Sequence, residues 1–186
     1  IEAVNALVKA EEDWVPSEPE TSLYIRPFAF ACESSLGVHK SKAYKFVIIL
    51  SPVGAYYAEG LAPVKIMVED EYVRAVQGGT GFTKCGGNYA GSILGQVKAE
   101  KMGYSQVLWL DGEHRKYVEE VGTMNIMFKI AGEIYTAPIE GTVLPGVTRD
   151  SMIHLLRDWG YKVNETRLSV DDLMKAGHDG TLEEVF

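Results

Sequence analysis

The ten residues "GFTKCGGNYA", Gly81–Ala90, place a lysine inside a glycine-rich turn. One interpretation is that Lys84 is a charge on an exposed loop, which is the ordinary position of a lysine. The other interpretation is chemical. Glycines leave room beside the amine for a flat cofactor, and lysine is the residue that forms a Schiff base with pyridoxal phosphate. This stretch by itself leaves both interpretations open.

The same glycines resemble two phosphate-binding motifs, and neither motif fits. A dinucleotide fingerprint needs glycines at its first, third and sixth positions, and Lys84 stands where the last glycine after Gly79 and Gly81 should be. A P-loop needs a glycine immediately before the lysine, where this chain has Thr83. The glycine turn is therefore neither a dinucleotide fingerprint nor a P-loop.

Composition favours small-molecule chemistry in a globular protein. The chain has 186 residues, of which 46% are hydrophobic and 24% charged, so it can bury a core in one or two domains. Its net charge is −8, and it has no run of basic residues. A nucleic-acid partner and an anionic membrane surface are therefore not expected.

Cysteines and histidines give no sign of a metal site. Cys32 and Cys85 are far apart and match no metal-ligand spacing, and the four histidines form no HExxH pattern.

No stretch reaches the length of a membrane span, and Ile1–Ala10 lacks the pattern of a signal peptide. We therefore expect a cytoplasmic protein without a structural disulfide or zinc. The chain starts without methionine inside a predicted helix, which suggests a piece of a longer protein.

Hydrophobic spacing predicts an α+β chain with hairpins rather than a regular βαβ alternation. The predicted helices are Ile1–Asp13, Asn88–Met102, one beginning at about Val147, and a short one in "SVDDLMKAG". The predicted strands are "SLYIRPFAFAC", Tyr44–Leu50, "VKIMV", "EYVRAVQ", "QVLWLDG", and two or three antiparallel strands in "KYVEEVGTMNIMFKIAGEIYTAPI" with a tight turn at Ala131 and Gly132. A connector rich in proline and glycine, residues 51–63, predicts a domain boundary.

A second candidate site is the segment "LPGVTRDS", in which Val147 and Thr148 fall at the start of the predicted helix. Unpaired backbone N–H groups and the helix dipole make such a helix start suitable for a phosphate, and the Thr148 hydroxyl adds a donor. Alternatively, Thr148 serves only as the helix cap.

The third candidate is "YVEEVGTM". Strand alternation sends Glu119 and Glu120 to opposite faces, so one of them should point inward. A buried carboxylate is costly without a partner, and an inward glutamate therefore implies a cation such as a protonated pyridine nitrogen. The alternative is a pair of solvent-facing glutamates on an edge strand.

Eight blocks of the chain occur in the order, and at about the spacing, of one known family. They are "SLYIRP", "SLGV", "SPVGAY", "GGTGFTKCGGNYA", "QVLWLDG", "EVGTMNIMF", "GTVLPGVTRDS" and "LEEVF". The chain thus resembles the branched-chain amino acid aminotransferases, members of the fold-type IV group of pyridoxal-phosphate enzymes. The resemblance covers essentially the whole chain and implies the two-domain, D-amino acid aminotransferase-like fold of that group.

The resemblance also implies roles in cofactor binding. Lys84 would carry pyridoxal 5'-phosphate as a Schiff base, Tyr89 would bond the phenolic oxygen, and Glu120 would face the pyridine nitrogen. Val147 and Thr148 would hold the phosphate. The implied reaction moves the amino group of L-leucine, L-isoleucine or L-valine to 2-oxoglutarate, which gives branched-chain 2-oxo acids and L-glutamate.

Substrate contacts are implied in the same way. Thr123 would help to bind the substrate carboxylate, and Tyr24, with Arg26 near it, would line the substrate pocket. Gly37 and Val38 match a loop that reaches the neighbouring subunit's active site in the family. A homodimer or a higher homo-oligomer is therefore expected.

Members of the family have segments that this chain lacks, namely most of a small domain before the point corresponding to Ile1 and a glycine- and threonine-rich loop after "EVF". The missing small domain carries an arginine that binds the phosphate, and Arg74 is a candidate to approach the phosphate from the large domain. The resemblance thus implies a fragment that is not active alone. It would hold the end of the small domain (1–50), the interdomain linker (51–63) and a C-terminally truncated large domain (64–186).

Two alternatives stay open at this point. Related fold-type IV enzymes act on D-amino acids or are lyases, and they share the lysine, the glutamate and the phosphate site, although "SLYIRP" and "GGNY" favour the branched-chain enzymes. The other alternative is a homologue that binds the cofactor without catalysing a reaction.

Overall fold

The computed structural model describes residues 1–55 and 62–186. The chain divides into two compact units, Ile1–Pro63 and Val64–Phe186. The predicted connector, residues 51–63, falls partly on residues 56–61, which lie outside the described residues. The assignment of the segments to a small domain, a linker and a large domain stays a prediction.

The first unit contains α1 (Glu2–Ala10), a turn of 3-10 helix (Glu12–Trp14), β1 (Ser22–Ala31) and β2 (Tyr44–Val53). The strands β1 and β2 form an antiparallel two-stranded sheet in which Ser22 lies opposite Val53. The sequence predicted that β2 ends at Leu50, which is wrong, because pairing with β1 continues through Pro52 to Val53. Proline is tolerated here because each strand of a two-stranded sheet has a free edge.

The second unit contains the other helices and strands. In chain order they are β3 (Ile66–Glu69), α2 (Gly86–Lys101), β4 (Gln106–Leu110), β5 (Val118–Val121), β6 (Phe128–Ile130), β7 (Glu133–Thr136), α3 (Val147–Asp158), β8 (Val163–Glu165), α4 (Val170–Asp179) and β9 (Leu182–Val185). One sheet has the order β3-β4-β5 and the other β8-β7-β6-β9. None of the helices in the described ranges has the length and apolarity that crossing a membrane requires.

The predicted strand "EYVRAVQ", residues 71–77, is wrong: no strand forms there. The backbone N–H groups of Glu71 and Tyr72 donate to the carboxylate of Glu69, at 2.7 and 3.0 Å, instead of to a neighbouring strand. A side chain that satisfies nearby backbone donors competes with a sheet for them. The short strands β8 and β9 were not predicted, because each is too short to show an alternating pattern.

The hairpin between β6 and β7 has the predicted tight turn. Ala131 and Gly132 have φ angles of 49° and 80°, and positive φ at both central residues is the geometry that suits a two-residue hairpin loop. Two or three antiparallel strands were predicted in this region, and three form. They belong to two sheets, since β5 pairs with β4 and not with β6.

The strand β4 is buried on both faces and positions the segment that follows β5. Val107 and Trp109 pack in one apolar cluster, whereas Leu108 and Leu110 pack in another. The indole Nε1–H of Trp109 donates to the carbonyl oxygen of Gly122 at 3.0 Å. The core thereby fixes the turn that follows Val121, the last residue of β5.

The start of α4 provides a test of the fold. Ser169 is buried, and its hydroxyl oxygen accepts a hydrogen bond from the Asp172 backbone N–H at 3.0 Å. We expect Ser169→Ala to lower the free energy of unfolding by about 1 kcal/mol, because an N-cap bond is lost. Ser151→Ala, at an exposed position inside α3, is the matched control and should change it by less than about 0.5 kcal/mol. Urea denaturation measures both, and equal losses would contradict the assigned cap.

Candidate active site

The loop that carries Lys84 is fastened by one side chain. Asn88 donates through Nδ2 to the carbonyl oxygens of Thr80 and Thr83, both at 2.7 Å, and its Oδ1 accepts from the Thr80 hydroxyl at 2.6 Å. α2 begins at Gly86, slightly earlier than predicted. The Lys84 side chain is exposed, and its Nζ lies 5.5 Å from the centre of the Tyr89 ring. The loop therefore presents the amine beside a phenol.

Strand β5 turns Glu120 inward, where the residue is only 3% exposed. Oε2 accepts from Arg74 Nε at 2.6 Å, and Oε1 accepts from Asn125 Nδ2 at 2.8 Å and from the Leu144 backbone N–H at 3.2 Å. Glu119 is half-buried on the other face of the strand. Arg74 thus supplies, within this chain, the cation that a buried glutamate needs. The ion pair between Arg74 and Glu120 was not predicted from the sequence.

Burial raises the pKa of Glu120 above its usual value, and the Arg74 guanidinium opposes this rise because it favours the ionised carboxylate. Burial also raises the pKa of Glu119, and a hydrogen bond from the Thr142 hydroxyl opposes that rise. The guanidinium of Arg74 also donates to the carbonyl oxygens of Gly81 and Thr142. Arg74 therefore binds the carboxylate of Glu120 in this structure. Its approach to a phosphate stays a prediction.

The start of α3 has backbone N–H groups that no side chain caps. The N-cap residue is Gly146, and no side chain caps the helix. Val147 and Thr148 are the first two residues of α3, and both are exposed. The alternative that Thr148 caps α3 is therefore wrong. Arg149 is buried, and among the described residues its Nε–H has no acceptor. Free N–H groups and the positive end of the helix dipole favour an anion here.

The predicted cofactor residues of the second unit meet at one cleft. Its larger part has a volume of about 510 Å³, within the usual range for a ligand pocket. The residues lining this part include Lys84, Glu120, Thr123, Asn125, Leu144, Gly146, Val147, Thr148 and Arg149. Lys84, Glu120, Thr123 and Leu144 also line an adjoining smaller part, to which Tyr89 and Arg74 contribute. An amine, a carboxylate and a helix N-terminus thus border the same space.

The remaining predicted residues lie in the first unit. Tyr24 and Arg26 are on β1, where Arg26 donates to the Tyr24 hydroxyl at 2.9 Å and lies over its ring. Gly37 and Val38 lie in the exposed segment between β1 and β2, and Val38 is fully exposed. The role of these residues in a substrate pocket stays a prediction.

Comparison with known proteins gives the family. The sequence profile of the family described as "Amino-transferase class IV" matches residues 2–178. The chain belongs to this family. The branched-chain-amino-acid transaminase 1 of Bacillus subtilis (strain 168) is 57% identical over 187 residues, which cover 100% of this chain and 52% of that relative. The predicted resemblance to branched-chain aminotransferases is confirmed.

Solved structures confirm the predicted fold-type IV fold. The branched-chain amino acid aminotransferase of Escherichia coli matches with a TM-score of 0.80 and 29% identity, over 100% of this chain and 57% of that one. The branched-chain amino acid aminotransferase of T.th., solved with pyridoxamine 5'-phosphate, matches with a TM-score of 0.78 and 30% identity, over 92% of this chain and 54% of that one. The chain spans about half the length of the curated relatives it matches.

Three polar residues that bond the Lys84 loop or the two glutamates were not predicted from the sequence. Asn88 lies within the opening motif, and Asn125 lies within "EVGTMNIMF", yet neither was assigned a role. Thr142 stands before the predicted phosphate segment. The predicted inward glutamate could have indicated Asn125. A buried carboxylate needs several hydrogen-bond donors, and a short polar side chain nearby in the sequence is a candidate donor.

Proposed function

We propose that the protein is a pyridoxal-phosphate-dependent transaminase of branched-chain L-amino acids. It would pass the amino group of leucine, isoleucine or valine to 2-oxoglutarate and release a branched-chain 2-oxo acid and glutamate. The observation that carries the proposal is the single cleft bordered by Lys84, Glu120 and the start of α3. The names of the relatives support the choice of substrate class.

The lining of the cleft fits pyridoxal phosphate. The uncapped N–H groups of Val147 and Thr148 give an excess of donors at one end of the cleft, which suits a phosphate. Arg149 also lines the cleft, and its Nε–H has no acceptor among the described residues. The buried carboxylate of Glu120 suits the protonated ring nitrogen, and Lys84 supplies the amine that bonds the carbonyl group.

When bound, pyridoxal phosphate supplies an electron sink for the negative charge that develops at the Cα atom of an amino acid. Lys84 has two tasks in the proposal. It would hold the cofactor through its amine, and the same amine would act as the base for the proton on Cα. Glu120, which Arg74 and Asn125 hold in place, would face the ring nitrogen. Tyr89 would bond the phenolic oxygen of the cofactor.

Further proposed contacts bind the substrate and join the subunits. Thr123 would bind the substrate carboxylate. Tyr24 and Arg26 are proposed as further substrate contacts, and Val38 would reach the site of a second subunit. A homodimer or a higher homo-oligomer is therefore proposed. The cytoplasm is the proposed compartment, as the sequence predicts.

An amino-acid panel tests the proposal. The longest chain that the gene encodes is assayed with 2-oxoglutarate and each L- and D-amino acid, and glutamate formation is measured. Turnover of leucine, isoleucine and valine that exceeds turnover of all other amino acids supports the proposal. Preference for D-amino acids, or cofactor binding without amino transfer, would contradict it and favour one of the two alternatives.

Loss of the Thr148 hydroxyl should weaken cofactor binding. A hydrogen bond to a charged group is worth about 1.5–3 kcal/mol, so Thr148→Val should raise the dissociation constant of pyridoxal phosphate roughly tenfold to a hundredfold. Because Gly146 is the cap, the melting temperature should stay within a few degrees. Titration of the folded apo-protein measures the affinity, with Thr166→Val as a control at a residue that does not line the cleft. Unchanged affinity in Thr148→Val would place the phosphate elsewhere.

A further inference from the structure

Glu119 makes a contact that the proposed reaction does not use. Its side chain points away from Glu120 and is not among the residues that line the cleft. Its Oε1 accepts a hydrogen bond from the Thr142 hydroxyl at 2.5 Å. A bond of this length between a hydroxyl and a carboxylate belongs to the stronger class. Glu119 therefore fixes Thr142 from the far side of β5.

Thr142 has a second contact, made by its backbone. Its carbonyl oxygen accepts from Arg74 Nη2 at 3.3 Å, next to the carbonyl oxygen of Gly81, which accepts from the same nitrogen at 3.2 Å. The backbones are close here, since a Cβ atom at position 81 would collide with the Thr142 carbonyl. One guanidinium nitrogen is thus held between the segment before Lys84 and the segment before α3.

The same guanidinium also holds Glu120, both through Nε and through the Nη2 nitrogen that contacts the two carbonyl oxygens. Arg74 Nε donates to Glu120 Oε2 at 2.6 Å, and both side chains are at least nine-tenths buried. A continuous series of hydrogen bonds therefore runs from Glu119 through Thr142 and Arg74 to Glu120. We propose that Glu119 and Thr142 are positioning residues, which hold Arg74 in place and so fix the carboxylate of Glu120 in the cleft.

The physical reason is the cost of misplacing Arg74. A buried carboxylate that loses contact with its cation is strongly destabilised, so small shifts of the guanidinium matter. Without the bond to Glu119, residue 142 loses the contact that holds its carbonyl against Arg74. The proposal rests on the proposed function in one respect, namely that Glu120 contacts the ring nitrogen of the cofactor.

A double-mutant cycle on cofactor affinity tests the series of bonds. Thr142→Val keeps the backbone carbonyl and removes the hydroxyl, and Glu119→Leu removes the acceptor. We expect each single variant to raise the dissociation constant of pyridoxal phosphate about threefold to tenfold, the effect of one lost hydrogen bond. The double variant should be no worse than the singles, because both remove the same bond. Thr142→Ser, which keeps the hydroxyl, should bind like the wild type.

The control is Glu113→Leu, which removes an exposed carboxylate near the same side of the unit and should leave affinity unchanged. Additive losses in the double variant, or wild-type affinity in both single variants, would overturn the proposal. A lowered melting temperature with unchanged affinity would do the same, since it would leave Thr142 with a structural role only.

A measurement on the apo-protein separates this proposal from the proposed function. In protein labelled with ¹⁵N-arginine, the hydrogen on Arg74 Nε should exchange with solvent at least tenfold faster in Thr142→Val than in the wild type or in Thr142→Ser. Equal exchange rates would overturn the positioning role. If the wild type bound no pyridoxal phosphate, the proposed function would fail, whereas faster exchange in Thr142→Val would still support the role of Thr142 in holding Arg74.

Discussion

Lys84→Ala should lose nearly all amino transfer, with a fall in kcat on the order of a thousandfold or more. The amine has two tasks in the proposed reaction, holding the cofactor and moving the Cα proton, and proton transfer by a positioned side chain alone is worth about a hundredfold to ten-thousandfold. No other lysine lines the cleft among the described residues. The measurement is glutamate formation from leucine and 2-oxoglutarate by the longest chain that the gene encodes.

The matched control for this variant is Lys101→Ala, in the last turn of α2, where the lysine is exposed and far along the helix from the cleft. It should keep wild-type kcat. The visible absorbance of the bound cofactor should change in Lys84→Ala and stay unchanged in Lys101→Ala. An unaltered spectrum and full turnover in Lys84→Ala would contradict the assignment of Lys84 as the lysine that bonds the cofactor.

Glu120→Gln should lower kcat on the order of a hundredfold, whereas Glu119→Gln should lower it less than tenfold. A neutral amide at position 120 removes the charge that stabilises a protonated ring nitrogen, and one preorganised electrostatic contact in an active site is worth about a hundredfold to a thousandfold. At position 119 the amide still offers a carbonyl acceptor to Thr142, so Arg74 stays in place. Steady-state kinetics with leucine measures both variants.

The two glutamates are adjacent on β5 and face opposite sides, so each is the control for the other. The KM for leucine should change little in either variant, because neither carboxylate is proposed to contact the amino acid. A larger loss of kcat in Glu119→Gln than in Glu120→Gln would show that the wrong side chain has been assigned to the ring nitrogen.

Patterns in the sequence predicted the parts of the fold that depend on local chemistry. The tight turn at Ala131 and Gly132 and the strand in "QVLWLDG" were found as predicted, because turn residues and apolar runs act over a few positions. The pattern in "EYVRAVQ" failed for the opposite reason. Backbone donors there bond to the carboxylate of Glu69, a competitor that strand alternation does not reveal.

In the candidate site, too, local features could be predicted from the sequence, whereas contacts made by the tertiary fold could not. Alternation along β5 predicted that one of two glutamates is inward, and the structure places Glu120 there. Its cation could not be found from spacing, because Arg74 lies 46 positions earlier in the chain and meets Glu120 only through the tertiary fold. The cap of α3 was equally out of reach, since a glycine at the N-cap leaves no side-chain signal.

The most direct test of the account is to find which lysine bonds the cofactor. Sodium borohydride added to the protein with bound pyridoxal phosphate makes the bond to lysine permanent, and mass spectrometry of the digested protein then locates the added mass. The account predicts that the mass is on the peptide containing Lys84 and on no other peptide. A label on any other lysine, or no label in a protein that retains the cofactor, would contradict it.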